Sequence, residues 1–417
     1  MKKRLIFLLS FFLLCMLTTT AVYGQTKKVV RQKQAPVTQK SVSAAASKPK
    51  TQSQTSSKQK AKPSPFSVKQ FVADGFNFII LNPSEVAVTP SKDSDYKGHL
   101  RIPEKVNYNG KEYKVVKVGH SIYHKTKSYT KFQIWGFYYY EDITSVTIPY
   151  GITTINERAF MNCENLASVS IPNSVTTIED QAFERCGNLS SIVIPNSVKH
   201  IGWSAFSSCD KLASVTIPQN GIYIHPQAFS FSCDKLEKAL YTSDLFIRLP
   251  PNYQGDYKIP EGIKTVAYAA FNRCENLTSV TIPSSVTKIS SCAFRFCSSL
   301  TSVVFPEGIK GIPSSTFEYC CRLTDITIPN SVTYIGEDAF ANCSQLTNIR
   351  IPDNVKEIGK HAFWDCEALH LISIPESLID NLGDGIFDDC DNLRSVTVRY
   401  PDGREGKIPL KDKWKKS

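Results

Sequence analysis

Apolar residues recur along this chain with a fixed beat. The phrase AF-x-x-C-x-x-L-x-x-V-x-I-P returns through most of it, and residues 277 to 299 read LTSVTIPSSVTKISSCAFRFCSS. The Ile-Pro pair stands at Ile148-Pro149, Ile171-Pro172, Ile194-Pro195, Ile217-Pro218, Ile259-Pro260, Ile282-Pro283, Phe305-Pro306, Ile328-Pro329, Ile351-Pro352 and Ile374-Pro375. Eight of the nine gaps are 23 residues and one is 42. Within a rung, Phe294, Cys297 and Leu300 are three apart, which predicts short helical or 3₁₀-like turns, where i and i+3 overlie. Val303 and Phe305 are two apart, which predicts a strand. Pro then stops the strand, and pairs such as Asn173-Ser174 supply turn chemistry. A second extended piece, such as Val286 to Ile289, leads back toward the next Ala-Phe. No rung can bury its apolar edge alone, so the period predicts a solenoid of stacked rungs, about ten in number.

Cysteine falls into the same beat. Ten of the 13 cysteines occupy one slot: Cys163, Cys186, Cys209, Cys233, Cys274, Cys297, Cys320, Cys343, Cys366 and Cys390. A cysteine-rich exported chain admits a disulfide framework. Equal slots one rung apart point instead to a buried ladder of small, weakly polar side chains. Cys292 and Cys321 lie off that ladder and are the expected exposed thiols.

The flanks are different polymers. Residues 1–24 have a Lys-Lys-Arg start, an apolar run from Leu5 to Leu17 and a small residue at Gly24, which is the pattern of a secretory signal peptide. The apolar run is short for a membrane span. Residues 25–65 carry ten Lys or Arg and no Asp or Glu, among Ser, Gln, Thr, Ala and Pro. Such a composition predicts a disordered basic linker. The formal net charge of +11 therefore belongs to the flank, because residues 66–417 hold 36 basic against 38 acidic residues. No basic stripe marks the repeats, so nucleic acid is not an expected partner. The tail, 400–417, reads as a basic terminus.

With these residues in view, C-x-x-L-x-x-V-x-I-P-x-x-V-x-x-I-x-x-x-A-F over residues 142–399 resembles the BspA-like leucine-rich repeats of bacterial secreted and cell-surface proteins. The resemblance implies a leucine-rich repeat solenoid of the α/β type. It also implies binding to host matrix or plasma proteins, stimulation of innate immune receptors, or contact between bacteria. Residues 66–128 resemble the N-terminal β cap of such proteins, with an Asn109-Gly110 hairpin signal and a degenerate first rung at Arg101-Ile102-Pro103. No Asn ladder follows the strand, so ligand type does not carry over from eukaryotic relatives.

Two departures from the repeat mark candidate partner-binding surfaces. Residues flanking the inward Val, such as Ser168/Ser170 and Ser279/Thr281, are mostly small and hydroxylated, until Asp325, Asn348, Arg350 and Leu371 bring in charge and apolar bulk. The insert at 129–141 carries Tyr129, Phe132, Trp135, Phe137, Tyr138, Tyr139 and Tyr140. Aromatics with polar handles suit an interface or a sugar-stacking platform. The same segment would equally serve as a hairpin sealing the open end of the solenoid. The repeats then divide into 142–236 and 259–399, with a second insert, 237–258, read as a protruding hairpin.

Catalytic motifs are lacking. His120 and His124 have i,i+4 spacing, but Ser121 breaks the zinc-protease motif. Gly202-Trp203-Ser204-Ala205-Phe206 lacks the closing Gly of a nucleophile elbow. No Gly-rich phosphate loop occurs. The sequence therefore predicts no enzyme, cofactor or metal. It predicts an exported binding protein, extracellular, at the cell surface or in the periplasm. A protein partner is expected; a glycan-binding module and an envelope scaffold without a host ligand are the alternatives.

Overall fold

The computed structural model describes residues 68–125, 130–230 and 234–410, all within one compact unit. The signal-like and linker segments, Tyr129, Cys233 and residues 411–417 lie outside the described residues. The chain winds as a β-solenoid in which two kinds of strand recur. Three- to five-residue strands hold the V-x-I phrase, as in Ser168–Ser170 beside Ile143–Thr147. Two-residue strands hold the second extended piece, as in Thr154–Ile155, Thr177–Ile178 and His200–Ile201. Pairing is parallel and in register, Ile155 to Ile178 to Ile201 to Ile224, so equivalent side chains lie over one another.

This register turns the repeat into ladders. Phe137, Phe160, Phe183, Phe206 and Phe229 stack in one run, and Phe246, Phe271, Phe294, Phe317, Phe340, Phe363 and Phe387 in another. Centroids are separated by 4.8 to 6.1 Å and the rings are nearly parallel. Each fully buried ring removes apolar surface from water worth about 2 kcal/mol.

The Ala-Phe-x-x-Cys segment is not helical, contrary to the expectation of helical turns. In the rung at 156–163, Ala159, Met161 and Cys163 donate their N–H groups back three residues, at 3.1 to 3.4 Å. Arg158, Phe160 and Asn162 donate instead to the carbonyls of Asp180, Ala182 and Glu184 in the next rung, at 2.8 to 3.0 Å. Alternate N–H groups thus run along the stack, which requires left-handed backbone at Arg158 and Asn162 (φ +54° and +59°). Each left-handed non-Gly residue costs about 1 kcal/mol, offset by the inter-rung bond it makes possible. A continuous helix would spend every N–H internally and leave the rungs unlinked. Among the described residues the single helical element is the 3₁₀ turn Glu376–Leu378.

The cysteine slot has a specific geometry. The nine described ladder cysteines are buried and free. In eight of them the thiol donates to the carbonyl of the ring-bearing Phe one rung back, at 2.9 to 3.3 Å. Cys274, facing the irregular rung, reaches Leu249 O and Pro250 O at 3.9 and 3.7 Å. Burial pushes the Cys163 and Cys274 thiols up to about 12. The ladder thus combines apolar volume with a weak donor. Cys292 and Cys321, off the ladder, are half-buried.

Both inserts contribute to rungs, the first only from Phe137 onward. Phe137 to Pro149 follows the repeat, with Phe137, Tyr140, Ile143, Val146 and Ile148 in the Phe, Cys, Leu, Val and Ile slots. Phe137 N donates to Ala159 O at 2.6 Å and Tyr139 N to Met161 O at 2.9 Å, the bonds that recur in regular rungs, as from Phe160 to Ala182 and from Asn162 to Glu184. The preceding strands His120–Lys125 and Thr130–Trp135 form an antiparallel hairpin. In the 42-residue gap, Leu240–Tyr241 and Leu245–Arg248 do pair antiparallel. That pair is built into the stack and does not protrude as the sequence predicts. Leu245–Arg248 pairs with Thr265–Val266, Phe246 supplies the ladder ring, and Leu249 N takes the Phe-slot bond to Ala270 O. The gap is one rung with an extra residue followed by one shortened rung, because the turn is replaced by Leu249-Pro250-Pro251. Buried Arg248 donates to Ala269 O there and lies 3.7 Å from the Asp234 carboxylate. The hydrophobic core divides at this point into two clusters.

Both ends of the described stack carry extra strands. Gln70–Ala73, Phe76–Asn82 and Glu85–Pro90 form an antiparallel set that joins Lys111–Val118 and through it Thr154–Ile155. Lys105–Tyr108 and Lys111–Val118 form the hairpin at Asn109-Gly110, both with positive φ as such a turn needs. Gly98–Arg101 pairs in parallel with Ile143–Thr147. At the other end, part of the segment that reads as a basic tail is ordered: Glu405–Pro409 pairs antiparallel with Ser395–Arg399.

Candidate interaction surfaces

The outward residues of the long strands form rows across the sheet. Toward the C-terminal end one row runs Arg350, Ser373, Thr397, Lys407, each directly opposite the next, with Thr397 itself buried. Asn348 faces Leu371 in the neighbouring row. These residues, with Ile349, Glu405 and Gly406, line an open cleft of about 410 Å³. Three of the four outward residues singled out by sequence, Asn348, Arg350 and Leu371, therefore share one site. Asp325 is exposed in the same slot one rung earlier. Leu371 is 46 % exposed, uncommon apolar bulk for this sheet. Asn348 Nδ2 donates to the Thr347 hydroxyl at 3.1 Å.

Beside this cleft sits Arg399, invisible to sequence reasoning because it looks like part of a terminal strand. Its guanidinium donates to Ser373 Oγ at 2.7 Å, to Ile351 O at 2.5 Å and to Asp353 Oδ1 at 2.5 Å. It ties the last rungs together across two turns of the solenoid and holds the hydroxyl of Ser373, which lines the cleft.

The aromatic segment divides. Phe137 is fully buried, so its side chain offers nothing to a partner and it leaves the candidate surface. The physical reason is the ladder: its ring stacks on Phe160 and meets Tyr96 edge-on at 5.2 Å. Tyr140 is half-buried against Tyr96, and burial pushes its phenol up to about 12, with the Tyr96 phenol adding to the shift. Tyr138 and Tyr139 are half-buried, with rings edge to face at 5.8 Å. Phe132 and Trp135 lie on the strand Thr130–Trp135.

Among the described residues no group of three His, Cys, Asp or Glu converges as a metal site, and no helix is long and apolar enough to cross a membrane. Burial, with Lys117 adding, holds the His120 imidazole below its ordinary value.

Parallel in-register rungs of 23 residues, apolar ladders inside and a strand face outside define a leucine-rich repeat solenoid. The sequence profile of the BspA type leucine rich repeat region matches residues 130–248, 255–370 and 310–401, with six copies. These spans cover more than half of the chain, which belongs to that family. Two solved structures with a TM-score of at least 0.50 agree on the fold. A leucine rich cell surface protein from Faecalibacterium prausnitzii is 23% identical, with 80% of this chain and 95% of that one covered and a TM-score of 0.50. The pneumococcal vaccine antigen PcpA is 19% identical, with 80% and 88% covered and a TM-score of 0.52. A leucine-rich repeat protein from Bacteroides ovatus is 25% identical over 78% and 94%, with a TM-score of 0.42. A comparison with curated proteins finds no match. The family defines an interaction scaffold, of which cell-surface proteins are members.

Proposed function

We propose that this chain is exported and binds a protein partner at the cell surface, with the C-terminal cleft as its main contact, and that it is a binding protein and not an enzyme. The observation that carries this reading is the convergence of Asn348, Arg350 and Leu371 with Ser373, Thr397 and Lys407 on an otherwise small, hydroxylated sheet. Leu371 supplies an apolar anchor, and Arg350 and Lys407 supply cations at either end of one row. Arginine and well-packed apolar anchors dominate interface energies, and the surrounding hydroxyls add hydrogen bonds. Export rests on the signal-like pattern of residues 1–24. Host matrix and plasma proteins are the partner class that the family resemblance implies. The N-terminal strands act in this reading as a cap, shielding the first ladder Phe from water.

The test is equilibrium binding of the full chain to immobilised fibronectin and fibrinogen, beside Arg350→Glu and Leu371→Ala. Saturable binding that both substitutions weaken at least about tenfold supports the reading. Binding that neither changes moves the contact elsewhere, and no binding removes these two ligands. Tyr138→Ser and Tyr139→Ser examine the aromatic segment without disturbing Phe137.

A further inference from the structure

A second constellation lies on the short-strand face, far in sequence from the C-terminal cleft. The row that holds Thr154 and Thr177 continues as His200 and Tyr223. The two rings stack at 5.2 Å and 15°, and Tyr223 is 55 % exposed. Ile201 and Ile224 point into the core, so alternation places His225 on the same outer side as Tyr223. Three residues beyond His200 stands Trp203, 42 % exposed. Its indole N–H donates to Gln227 Oε1 at 2.7 Å, which fixes the ring and leaves the Gln227 amide nitrogen as a donor. His225 Nδ1 accepts from the Gln227 N–H at 3.1 Å, which puts the imidazole proton on Nε2. Asp180 accepts the Trp203 backbone N–H through Oδ1 at 2.7 Å and keeps a second oxygen as an acceptor. Its carboxylate fills the space that a side chain on Gly202 would take.

The geometry points to a carbohydrate-binding site here, taking a neutral pyranose on Trp203 and Tyr223, with Asp180, His225 and Gln227 reading its hydroxyls. A pyranose presents an apolar C–H face and a rim of hydroxyls. It therefore needs exposed, immobilised aromatic faces with donors and acceptors beside them, and both are present. The π-face of a ring carries negative potential and attracts weakly positive C–H groups. No arginine joins the five residues, and the one formal charge among them is the carboxylate of Asp180, which argues against an acidic sugar. A protein hot spot would ask for a desolvated pocket, whereas Trp203 and Tyr223 are exposed, Tyr223 with one face covered by His200. Equivalent slots elsewhere hold Thr265 and Lys288, or Glu157 and Ser291, so the stack does not impose this arrangement. The inference is independent of the C-terminal cleft.

The full chain should be titrated with neutral tetrasaccharides of glucose, galactose, mannose and N-acetylglucosamine, and with a sialylated trisaccharide. Isothermal titration calorimetry provides the readout, because Trp203→Ala would remove a fluorescence reporter at the site. At least one neutral oligosaccharide should bind saturably. Trp203→Ala and Tyr223→Ala should each weaken it at least about tenfold, while Tyr334→Ala, an exposed Tyr in the same kind of strand, leaves it unchanged. Unchanged thermal unfolding of the three variants separates lost contact from lost fold. No saturation by any neutral sugar, preference for the sialylated one, or equal binding by all variants overturns the proposal. Binding of a protein partner that Trp203→Ala abolishes, with no sugar bound, also overturns it.

Discussion

Replacing Phe317 with Ala examines the ladder at its centre. Its ring is fully buried, stacks on Phe294 at 5.2 Å and 1° and on Phe340 at 5.3 Å and 11°, and meets Phe305 edge-on at 5.9 Å. Truncating a buried Phe costs about 3–5 kcal/mol, and the parallel stack leaves little room to collapse, so about 4 kcal/mol is expected. Because rungs couple chiefly to their neighbours, the loss should be local. Phe317 belongs to the cluster that begins at Phe246, and the cluster ending at Ile247 is separate from it. Guanidinium unfolding gives the magnitude, and hydrogen exchange read by mass spectrometry gives the place. Amides of 294–363 should lose protection well before those of 143–206. A cost below about 1 kcal/mol, the scale of an exposed substitution, would refute the ladder as a source of stability. A uniform loss of protection along the whole chain would refute the division of the core.

Gly359→Ala places a Cβ 2.5 Å from Glu337 N and should cost about 1–3 kcal/mol. Gly187→Ala, whose nearest neighbour is 4.0 Å away, should be neutral or slightly stabilising by thermal unfolding. Alkylating the unfolded, unreduced chain should block the nine described ladder thiols, and mass spectrometry that finds bridges among them would contradict their free state. Arg399→Ala removes the side-chain donor to Ile351 O, while the exposed Asp353 returns to water, and should fray the last rungs first, at about 1–2 kcal/mol, read by exchange in 351–409. The Asp338 carboxyl is held above its ordinary value, by burial first and then by Glu318 and Glu337. Its ionised form therefore opposes folding above that raised pKa, and the penalty vanishes as pH falls through it. Asp338→Asn should raise the melting temperature at pH 7 and lose that advantage at about pH 3.

The period, the solenoid and the inward set were legible because each rung repeats one solution to one packing problem. Twenty-three residues with Phe, Cys, Leu, Val and Ile at fixed offsets admit a common stack and little else. The outward outliers Asn348, Arg350 and Leu371 were legible for the same reason, since a departure from a repeat shows against it. Phe137 was misplaced because Gly136, Tyr140 and Ile143 replace the Ala, Cys and Leu that identify a rung. Only its backbone bond to Ala159 and its stacking on Phe160 place it in the ladder.

Within the regular rungs sequence alone determined the address of each side chain, because side-chain direction follows from local alternation and offset. Tertiary structure decided how rungs meet. The spacing of three predicts helical turns, yet alternate N–H groups turn to the next rung, because a stacked backbone must satisfy its donors between copies. The 42-residue gap predicts a protrusion, yet it packs inward, because leaving Phe246, Ile247 and Leu249 in water would cost more than shortening a rung. Arg399 reaching Asp353, and Trp203 fixed on Gln227, join residues two rungs and one rung apart. Such contacts depend on registry along the stack, which no single rung specifies.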